Sequence, residues 1–347
     1  MKRFFALFLS TVLLLSTAVG CGDVPAEMPQ QSPSGDGLTV HFIDVGQADA
    51  ALIECDGEAM LIDGGNVADS DLIYAYLKQE GIEELKYIVG THAHEDHMGG
   101  LAGALEYAAV DTFFAPTAEA DTKFFENDVK LLARQGKEIT IPDVGSSYSL
   151  GTADFQFVGP IFESDNKNNM SLVLRLAYGD TSFLFTGDAE AEEEEDILDA
   201  GFDISADVLK VGHHGSNSST TYRFLREVSP TYGVISCGVD NSYGHPHDEP
   251  LSRLRDADVE LYRTDLQGTI LCESDGENLT FSTAKNPTVE TNPSQGQSDG
   301  AYIGNANSKV FHRPDCSGLP KEENRIYFES RMEAVDQGYT PCGRCKP

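Results

Sequence analysis

Basic residues are scarce in this chain: 24 lysines and arginines stand against 57 aspartates and glutamates in 347 residues, which gives a formal charge of −33. A surface with this charge repels polyanions at long range. The sequence therefore excludes the class of proteins that bind nucleic acid by covering its phosphates with lysine and arginine. A phosphate group can approach only at a local site, and a site that holds metal ions is the natural candidate.

Long apolar runs are also lacking, with one exception near the N-terminus. Lys2 and Arg3 precede an apolar run from Phe4 to Val19, which suits the core of a signal peptide and is short for a membrane span. The run ends in Ala18-Val19-Gly20-Cys21, which resembles the lipobox of bacterial lipoproteins.

The resemblance to a lipobox implies that Cys21 is lipidated and becomes the mature N-terminus. We expect residues 1–21 to be a lipoprotein signal peptide and residues 22–37, which contain Pro25, Pro29 and Pro33, to be a linker. The protein would then be anchored by lipid at the extracellular face of a bacterial cell membrane. Plain secretion, with Cys21 unused, is the alternative.

Strands and helices alternate in the sequence from Leu38 to Thr283. An Asp56-Gly57 turn predicts a hairpin, and other predicted strands also follow one another closely. This pattern favours a layered α/β sandwich over a single parallel sheet. Residues 284–301 are rich in Asn, Pro, Ser, Gln and Gly, so we expect a linker there. Residues 302–347, with 7 basic and 6 acidic residues, form a separate unit.

A group of metal-ligating residue types directly follows the predicted strand that ends at Val89. His92, His94, Asp96 and His97 lie within six residues. In an extended turn the first two point the same way, while the last two lie at the start of a helix and reach a second point. This arrangement predicts two neighbouring metal ions. Gly99 and Gly100 would let the helix start pack closely.

The H-x-H-x-D-H spacing resembles the metallo-β-lactamase superfamily. The resemblance implies a four-layer αββα sandwich over residues 38–283, with Asp63 supporting the ligands, Asp188 bridging two metal positions and His213 as a further ligand. Several segments are similar to the hydrolase domain of the ComEC family of competence proteins: His41–Ala50, Asn168–Leu174, Gly187-Asp188, His213–Ser216, Asn241–His247 and Arg263–Gly268.

One ligand of the superfamily is missing, because no histidine lies between His97 and His213. The metal at His92 and His94 would then be completed by Asp188, water or another histidine, so both one-metal and two-metal occupancy stay open. Nitrogen and carboxylate ligands suit Zn²⁺, and Mn²⁺ also fits them.

The metal centre would acidify a water, which then attacks a phosphodiester. We expect Asp96 to bind metal and orient this water. His214 and His245 are candidates for the proton donor to the leaving group, although their roles and that of His213 could be exchanged. We expect the acidic run Glu190–Glu195 to be a solvent-exposed helix face.

The C-terminal unit carries a second set of ligands: His312, Cys316, Cys342 and Cys345. Cys-x2-Cys is a typical zinc-knuckle spacing, and a structural zinc would stabilise a unit too small to bury much core. In an exported protein a disulfide between Cys342 and either Cys345 or Cys316 is the alternative.

The C-terminal unit resembles the Ada-type zinc-binding domain, an α+β unit, over Val310–Cys316 and Gly338–Pro347. The Ada site has four cysteines, one of which accepts methyl groups, whereas His312 stands at the first position here, so methyl transfer is not expected. Five basic residues could contact DNA: Arg313, Arg325, Arg331, Arg344 and Lys346.

These patterns predict a surface-anchored metallo-hydrolase, a phosphodiesterase or nuclease that acts on DNA in a competence-related context. The protein partners cannot be read from the sequence. Two alternatives remain open: a hydrolase of another phosphoester, such as a cell-wall or lipid head group, and a non-catalytic lipoprotein that captures DNA.

Overall fold

The computed structural model describes residues 37–292, 302–314, 316–328 and 331–345. The predicted signal peptide with Cys21, the linker up to residue 36 and the second half of the 284–301 segment lie outside these ranges. Within them, no helix combines the length and the apolar character that a membrane crossing requires.

The first sheet has eight strands in the order β15-β14-β1-β2-β3-β4-β5-β6. Its strands are β1 (Leu38–Phe42), β2 (Ala51–Cys55), β3 (Glu58–Ile62), β4 (Glu84–Val89), β5 (Ala109–Phe114), β6 (Ile139–Thr140), β14 (Ile270–Ser274) and β15 (Leu279–Thr283). The predicted Asp56-Gly57 hairpin joins β2 to β3, and β3 to β6 run parallel to one another.

The second sheet has seven strands in the order β13-β12-β11-β10-β9-β8-β7. Its strands are β7 (Ser147–Leu150), β8 (Ala153–Gly159), β9 (Val173–Tyr178), β10 (Thr181–Phe185), β11 (Val208–Lys210), β12 (Tyr232–Ile235) and β13 (Glu260–Arg263). The four strands from β10 to β13 are parallel, so their carboxyl ends lie at one edge.

Eight helices accompany the two sheets. They are α1 (Ser70–Glu80), α2 (Glu95–Met98), α3 (Leu101–Tyr107), α4 (Lys123–Arg134), α5 (Ala191–Ala200), α6 (Tyr222–Val228), α7 (Asp248–Asp256) and α8 (Thr264–Gln267). Helix α1 ends at Gly81, whose φ of 75° provides the left-handed conformation that closes helices.

The main core lies between the two sheets. Val40 and Phe42 from the first sheet and Phe157 and Phe185 from the second belong to one buried cluster, in which Phe42 stacks on Phe185 at 6.1 Å. A second core, which includes Val211, Phe224 and Leu254, lies between the second sheet and helices α5 to α7. The predicted αββα sandwich is confirmed.

The C-terminal unit is a small α+β fold, as predicted. It has a four-stranded sheet in the order β18-β16-β17-β19. The strands are β16 (Tyr302–Asn305), β17 (Val310–His312), β18 (Arg325–Phe328) and β19 (Thr340–Pro341), and helix α9 (Arg331–Asp336) lies between β18 and β19 in the chain. Among its described residues, the apolar cluster at its centre has four buried side chains: Phe311, Phe328, Ala334 and Tyr339. So small a core needs additional stabilisation.

The first part of the expected 284–301 linker packs on the sandwich. Asn292 donates to the backbone oxygen of Leu251, and Thr291 donates to that of Leu261. Polar composition predicted a linker here, and in its first part asparagine and threonine side chains satisfy backbone groups of the folded domain.

The prediction that Glu190–Glu195 form a solvent-exposed face is wrong for two of these residues. Glu193 and Glu194 are only 2% and 1% exposed. Glu194 accepts hydrogen bonds from the backbone N–H groups of Thr220 and Thr221. Glu193 accepts one from the N–H of Ile161. These carboxylates satisfy loop backbone that would otherwise be buried without partners.

Asp128 on α4 is buried, and neither of its carboxylate oxygens has a hydrogen-bond partner among the described residues. Burial raises its pKa to about 8. Between its ordinary pKa and this value, the folded chain keeps a proton that the unfolded chain has released. The free energy of unfolding should therefore fall as pH rises across this window, by up to about 1 kcal/mol per pH unit.

We predict that Asp128→Asn removes this dependence and stabilises the protein at pH 8, because the amide cannot ionise. Thermal unfolding between pH 5 and pH 8 measures the effect, with the exposed Asp71→Asn as the matched control on α1. Identical pH slopes in the wild type and Asp128→Asn would contradict the assignment.

Candidate metal centre

The predicted ligands meet at the edge of the sandwich where parallel strands of both sheets end. Asp63 follows β3, and His92 and His94 follow β4. In the second sheet, Asp188 follows β10, and the His213-His214 pair follows β11. The two sheets thus bring residues that are far apart in sequence to one place.

Helix α2 supplies Asp96 and His97, and its close approach to the loop after β3 depends on glycine. A Cβ atom on Gly100 would lie 1.9 Å from the backbone oxygen of Gly64. The N–H of Gly64 in turn donates to the oxygen of His97 at 2.7 Å. The expected role of Gly100 in tight packing is therefore observed, and it fixes His97 against Asp63.

One group of ligand atoms surrounds the first oxygen of Asp188, and we call it position B. His97 Nε2 lies 3.2 Å and His214 Nε2 lies 3.7 Å from Asp188 Oδ1. Asp96 Oδ2 lies 3.4 Å from His214 Nε2. The ligand atoms of these four residues are within 4.8 Å of one another, as a single ion requires.

A second group faces the other oxygen of Asp188, and we call it position A. His213 Nε2 lies 3.5 Å and His92 Nε2 lies 3.8 Å from Asp188 Oδ2. His94 Nδ1 is 2.9 Å from His92 Nε2. Position A therefore has three histidine nitrogens near one carboxylate oxygen, but they are more widely spread than the ligand atoms of position B, which lie within 4.8 Å of one another.

The two consecutive histidines reach different positions because of their backbone. His213 and His214 both adopt left-handed conformations, with φ of 50° and 53°. Such conformations are costly for residues with a Cβ atom and concentrate at functional sites. They make the two side chains diverge, so that His213 faces position A and His214 faces position B.

The hydrogen bonds of the outer ring nitrogens show which nitrogen carries a hydrogen in His214 and His97. His214 Nδ1 is 3.0 Å from the backbone oxygen of Ser236, which can only accept. His97 Nδ1 is 2.8 Å from Asp63 Oδ2. Both Nδ1 atoms therefore carry hydrogen, and both Nε2 atoms face position B, where a metal ion would take the place of the second proton that these rings hold without it. A carboxylate or carbonyl behind the ring is the usual support of a metal-binding histidine.

His213 is supported in the same way by Glu190. The Ser218 hydroxyl donates to Glu190 Oε1 at 3.1 Å, so it accepts from His213 Nδ1, which lies 3.2 Å away. Glu190 Oε1 is itself 3.3 Å from His213 Nδ1. The side chain of Asn168 also donates to Glu190. Asn168 therefore supports the site from outside rather than replacing the missing histidine.

The buried polar atoms of this edge fit a metal. Among the atoms without a hydrogen-bond partner in the described residues are three that face one point: His97 Nε2, His214 Nε2 and Asp188 Oδ1. Buried polar atoms are rarely left without partners in folded proteins. All three belong to position B, and a divalent cation would satisfy them together. Imidazole nitrogens with carboxylate oxygens are ligands that suit zinc, and manganese also fits them.

The charges of the site favour a cation at its centre. Burial alone lowers the pKa of His97, but Asp188 and Asp63 outweigh it and hold this pKa well above its usual value. Burial likewise opposes protonation of His214, yet Asp188 and Asp49 raise its pKa to about 10. Burial raises the pKa of Asp188, whereas His97 and His214 bring it well below its usual range.

His245 lies beside both positions without contacting Asp188. Its ring centroid is 5.7 Å from that of His213 and 6.3 Å from that of His214. The Gly238 N–H donates to Gln47 Oε1, which orients the amide, so that Gln47 Nε2 donates to His245 Nδ1 at 3.3 Å. The proton of the neutral His245 ring is therefore on Nε2.

The structure thus separates three histidines that the sequence left interchangeable. His213 faces position A, where we expected a ligand, and Asp63 supports His97 as expected. His214, which we expected to donate a proton, lies instead among the ligand atoms of position B. Of the two candidates, only His245 remains free for that role. Sequence reasoning missed Glu190, because its acidic run resembled an ordinary solvated helix.

The second predicted metal site is formed in the C-terminal unit. The ligand atoms of His312, Cys316, Cys342 and Cys345 lie within 4.8 Å of one another. Burial raises the pKa of the Cys342 thiol, but the backbone N–H groups of Cys345 and Arg344 outweigh it and lower this pKa. The six cysteines of the described residues are all free thiols.

One of the expected DNA contacts is excluded. Arg331 is only 1% exposed, and its guanidinium lies over the Tyr222 ring at 4.7 Å. Its Nε is 3.9 Å from Asp256 Oδ2. A second ion pair joins Asp336 to Arg226 on α6 at 2.6 Å. Arg331 therefore fixes α9 to helices α6 and α7, and its charge is not available to DNA.

We predict that Asp188→Ala removes metal from both positions while the fold is retained, because one carboxylate faces both groups. Loss of activity should exceed the ~10–100-fold typical of residues that only support ligands. Elemental analysis per chain and circular dichroism measure the two effects. Unchanged metal content would exclude Asp188 from the centre.

We predict that Cys342→Ser lowers the zinc content by one equivalent per chain, because the loss of one thiolate opens the tetrahedral site. The metal at positions A and B should remain. Elemental analysis of the wild type, Cys342→Ser and Asp188→Ala separates the two sites, and a Cys342→Ser chain with full zinc would contradict this ligand set.

Comparisons with known families agree with the two-part organisation. The profile of the metallo-beta-lactamase superfamily matches residues 43–239, and that of the metal binding domain of Ada matches residues 292–347. The first match covers more than half of the chain.

Three curated relatives are about 30% identical to this chain. ComE operon protein 3 of Bacillus subtilis (strain 168) is 30% identical over 250 residues, which cover 67% of this chain and 32% of that protein. Competence protein ComA of Neisseria gonorrhoeae is 31% identical, with 70% and 33% covered. Recombination protein 2 of Haemophilus influenzae is also 31% identical, with 67% and 28% covered.

This chain spans about a third of the length of these relatives. The matched span, the αββα sandwich and the H-x-H-x-D-H edge lead to one conclusion: the chain belongs to the metallo-β-lactamase superfamily, with competence-protein homologues and an Ada-like zinc-binding domain.

Proposed function

We propose that this protein is a metal-dependent phosphodiesterase that hydrolyses DNA at positions A and B. The observation that carries the proposal is the carboxylate of Asp188, whose two oxygens face two separate sets of ligands. Two ions held this way are suited to the attacking and leaving oxygens of a phosphodiester.

Bound metal ions supply Lewis acidity, which activates a water and neutralises charge on the phosphate. The chain itself provides the geometry. Asp63 and Glu190 hold His97 and His213 so that their lone pairs face the centre. The Asp96 side chain is 31% exposed, so it faces the open side of the centre, where it can orient a water.

His245 is the proposed donor to the leaving group. Gln47 fixes its proton on Nε2, and the ring lies next to both metal positions without belonging to either. Burial and the neighbouring His214 lower its pKa to about 4, so the ring is neutral at pH 7 and acts as a hydrogen-bond donor.

DNA is the proposed substrate because of the named relatives, which include a competence protein and a recombination protein. The C-terminal unit would assist DNA capture through the four basic residues that remain when the buried Arg331 is left out: Arg313, Arg325, Arg344 and Lys346. The net charge of −33 favours a second candidate, a smaller phosphoester that does not spread many charges over the surface.

The proposed location is the extracellular face of the bacterial membrane, with Cys21 carrying the lipid anchor. This part of the proposal is supported by the sequence alone, through Lys2, Arg3, the apolar run after them and the small residues before Cys21.

Hydrolysis of DNA and of bis(p-nitrophenyl) phosphate, with Zn²⁺ or Mn²⁺ and after chelation, tests the proposal. We predict metal-dependent turnover of both by the wild type and of neither by Asp188→Ala. His245→Ala should keep its metal and lose about 10²-fold in turnover of DNA, since removing one hydrogen-bond donor to a developing oxyanion costs about 10²–10³-fold.

The outcomes separate the alternatives. Turnover of bis(p-nitrophenyl) phosphate without turnover of DNA would favour the smaller phosphoester. Metal binding without turnover of either compound would favour a non-catalytic role in DNA capture. A His245→Ala variant as active as the wild type would remove His245 from the chemistry.

A further inference from the structure

A lysine is buried behind position B, and the chemistry proposed above does not use it. Lys210 is the last residue of β11 and is 5% exposed. Its ammonium donates to Asp49 Oδ2 at 2.7 Å and to the backbone oxygen of Val211 at 3.2 Å. Asp49 is also 5% exposed and belongs to the loop before β2, in the other sheet.

The other oxygen of Asp49 reaches a ligand of position B. Asp49 Oδ1 lies 3.1 Å from His214 Nδ1, on the side of the ring away from the centre. Lys210, Asp49 and His214 therefore form a continuous buried series from the middle of the second sheet to the metal centre. The backbone also joins them, because Asp49 N–H donates to the oxygen of Asp96, another ligand of position B, at 3.0 Å.

Stability alone does not account for this pair. A buried ion pair costs several kcal/mol of desolvation per ion, and well-packed apolar residues of similar volume often serve as well or better. β11 is otherwise apolar at Val208 and Leu209, and it is flanked on both sides by strands. A lysine in such a strand needs a reason other than packing.

The charges near the centre supply such a reason. Asp49, Asp63, Asp96, Asp188 and Glu190 are five carboxylates, so that with the single ammonium of Lys210 the formal charge is −4. Two divalent ions would bring this to zero, whereas without Lys210 one negative charge would remain to repel a phosphodiester. Lys210 neutralises Asp49, which faces neither position, and leaves Asp96 and Asp188 for the ions and Asp63 for His97.

We propose that Lys210 is a positioning residue of position B: it holds the Asp49 carboxylate in the orientation that fixes the His214 ring with Nε2 towards the metal. The pair acts through His214 and touches neither metal nor substrate. His214 Nδ1–H donates its hydrogen bond to the Ser236 oxygen at 3.0 Å, and Asp49 Oδ1, which has no hydrogen-bond partner among the described residues, adds the attraction of a carboxylate 3.1 Å from the same nitrogen.

This inference rests on the assignment of position B in the proposed function, but not on DNA as the substrate. Its test therefore measures metal affinity. We expect Lys210→Met to weaken binding at one of the two positions by ~10–100-fold, the usual effect of losing an outer support. Titration with a chelator, followed by elemental analysis, shows how many ions each chain retains, and the visible spectrum of the Co²⁺-loaded protein reports on the ligands.

The matched control is Lys86→Met. Lys86 also donates to a carboxylate, that of Glu58, at 2.6 Å. Glu58 is the first residue of β3, at the end of the strand away from the metal centre, and the pair is partly exposed to solvent. This variant should lose a salt bridge and keep the metal affinity and the Co²⁺ spectrum of the wild type.

The double variant Lys210→Met/Asp49→Asn distinguishes positioning from a general packing role. If Lys210 acts through Asp49, its replacement should add little to the loss of affinity in Asp49→Asn. Additive losses in the double variant would overturn the proposal, as would a folded Lys210→Met chain with the affinity of the wild type. If Lys210→Met does not fold, Asp49→Asn alone decides, since unchanged metal affinity in that variant overturns the series.

Discussion

The carboxylate of Asp188 is the interaction on which the site depends. It follows β10 in the second sheet, yet its oxygens face His97 and His92, which the first sheet supplies, as well as His213 and His214. One side chain therefore meets ligands from both sheets at the edge where their parallel strands end. The packing of the two sheets sets the distance between these ligands. The core of the sandwich therefore determines the geometry of the metal centre.

Support from outside the centre is as extensive as the ligand set itself. Asp63 holds His97, Glu190 with Ser218 holds His213, and Asp49 with Lys210 holds His214. Each support comes from a part of the chain distant from the histidine it contacts. This arrangement explains how His213 can take the place of a ligand that the sequence lacks. Two consecutive residues after β11, His213 and His214, adopt left-handed conformations. The carboxylate of Glu190, just before α5, then lies beside Nδ1 of His213.

Much of this could be predicted from the sequence, for physical reasons that also mark the limit. Alternating apolar residues and turn signals predicted most strands, and short local spacings predicted the histidines after β4 and the four ligands of the C-terminal unit. Local patterns cannot show which loop lies behind a given ring. Glu190, Glu193 and Glu194 therefore resembled a solvated run, and His213 and His214 could not be told apart. Lys210 is recognisable in the sequence as a charged residue in an otherwise apolar strand. Its role could not be predicted, because its partner Asp49 comes from a loop of the other sheet.

The buried Arg331 has a consequence for how the two parts of the molecule share stability. Its side chain and that of Asp336 join α9 to α6 and α7, which begin directly after the loops of His213-His214 and His245. Unfolding of the C-terminal unit would uncover the Tyr222 ring and take the Arg331 charge away from Asp256. A ligand that binds only the folded state stabilises whatever folds with it. Zinc held by the C-terminal ligands would thus be thermodynamically linked to the αββα sandwich, although those ligands lie outside it.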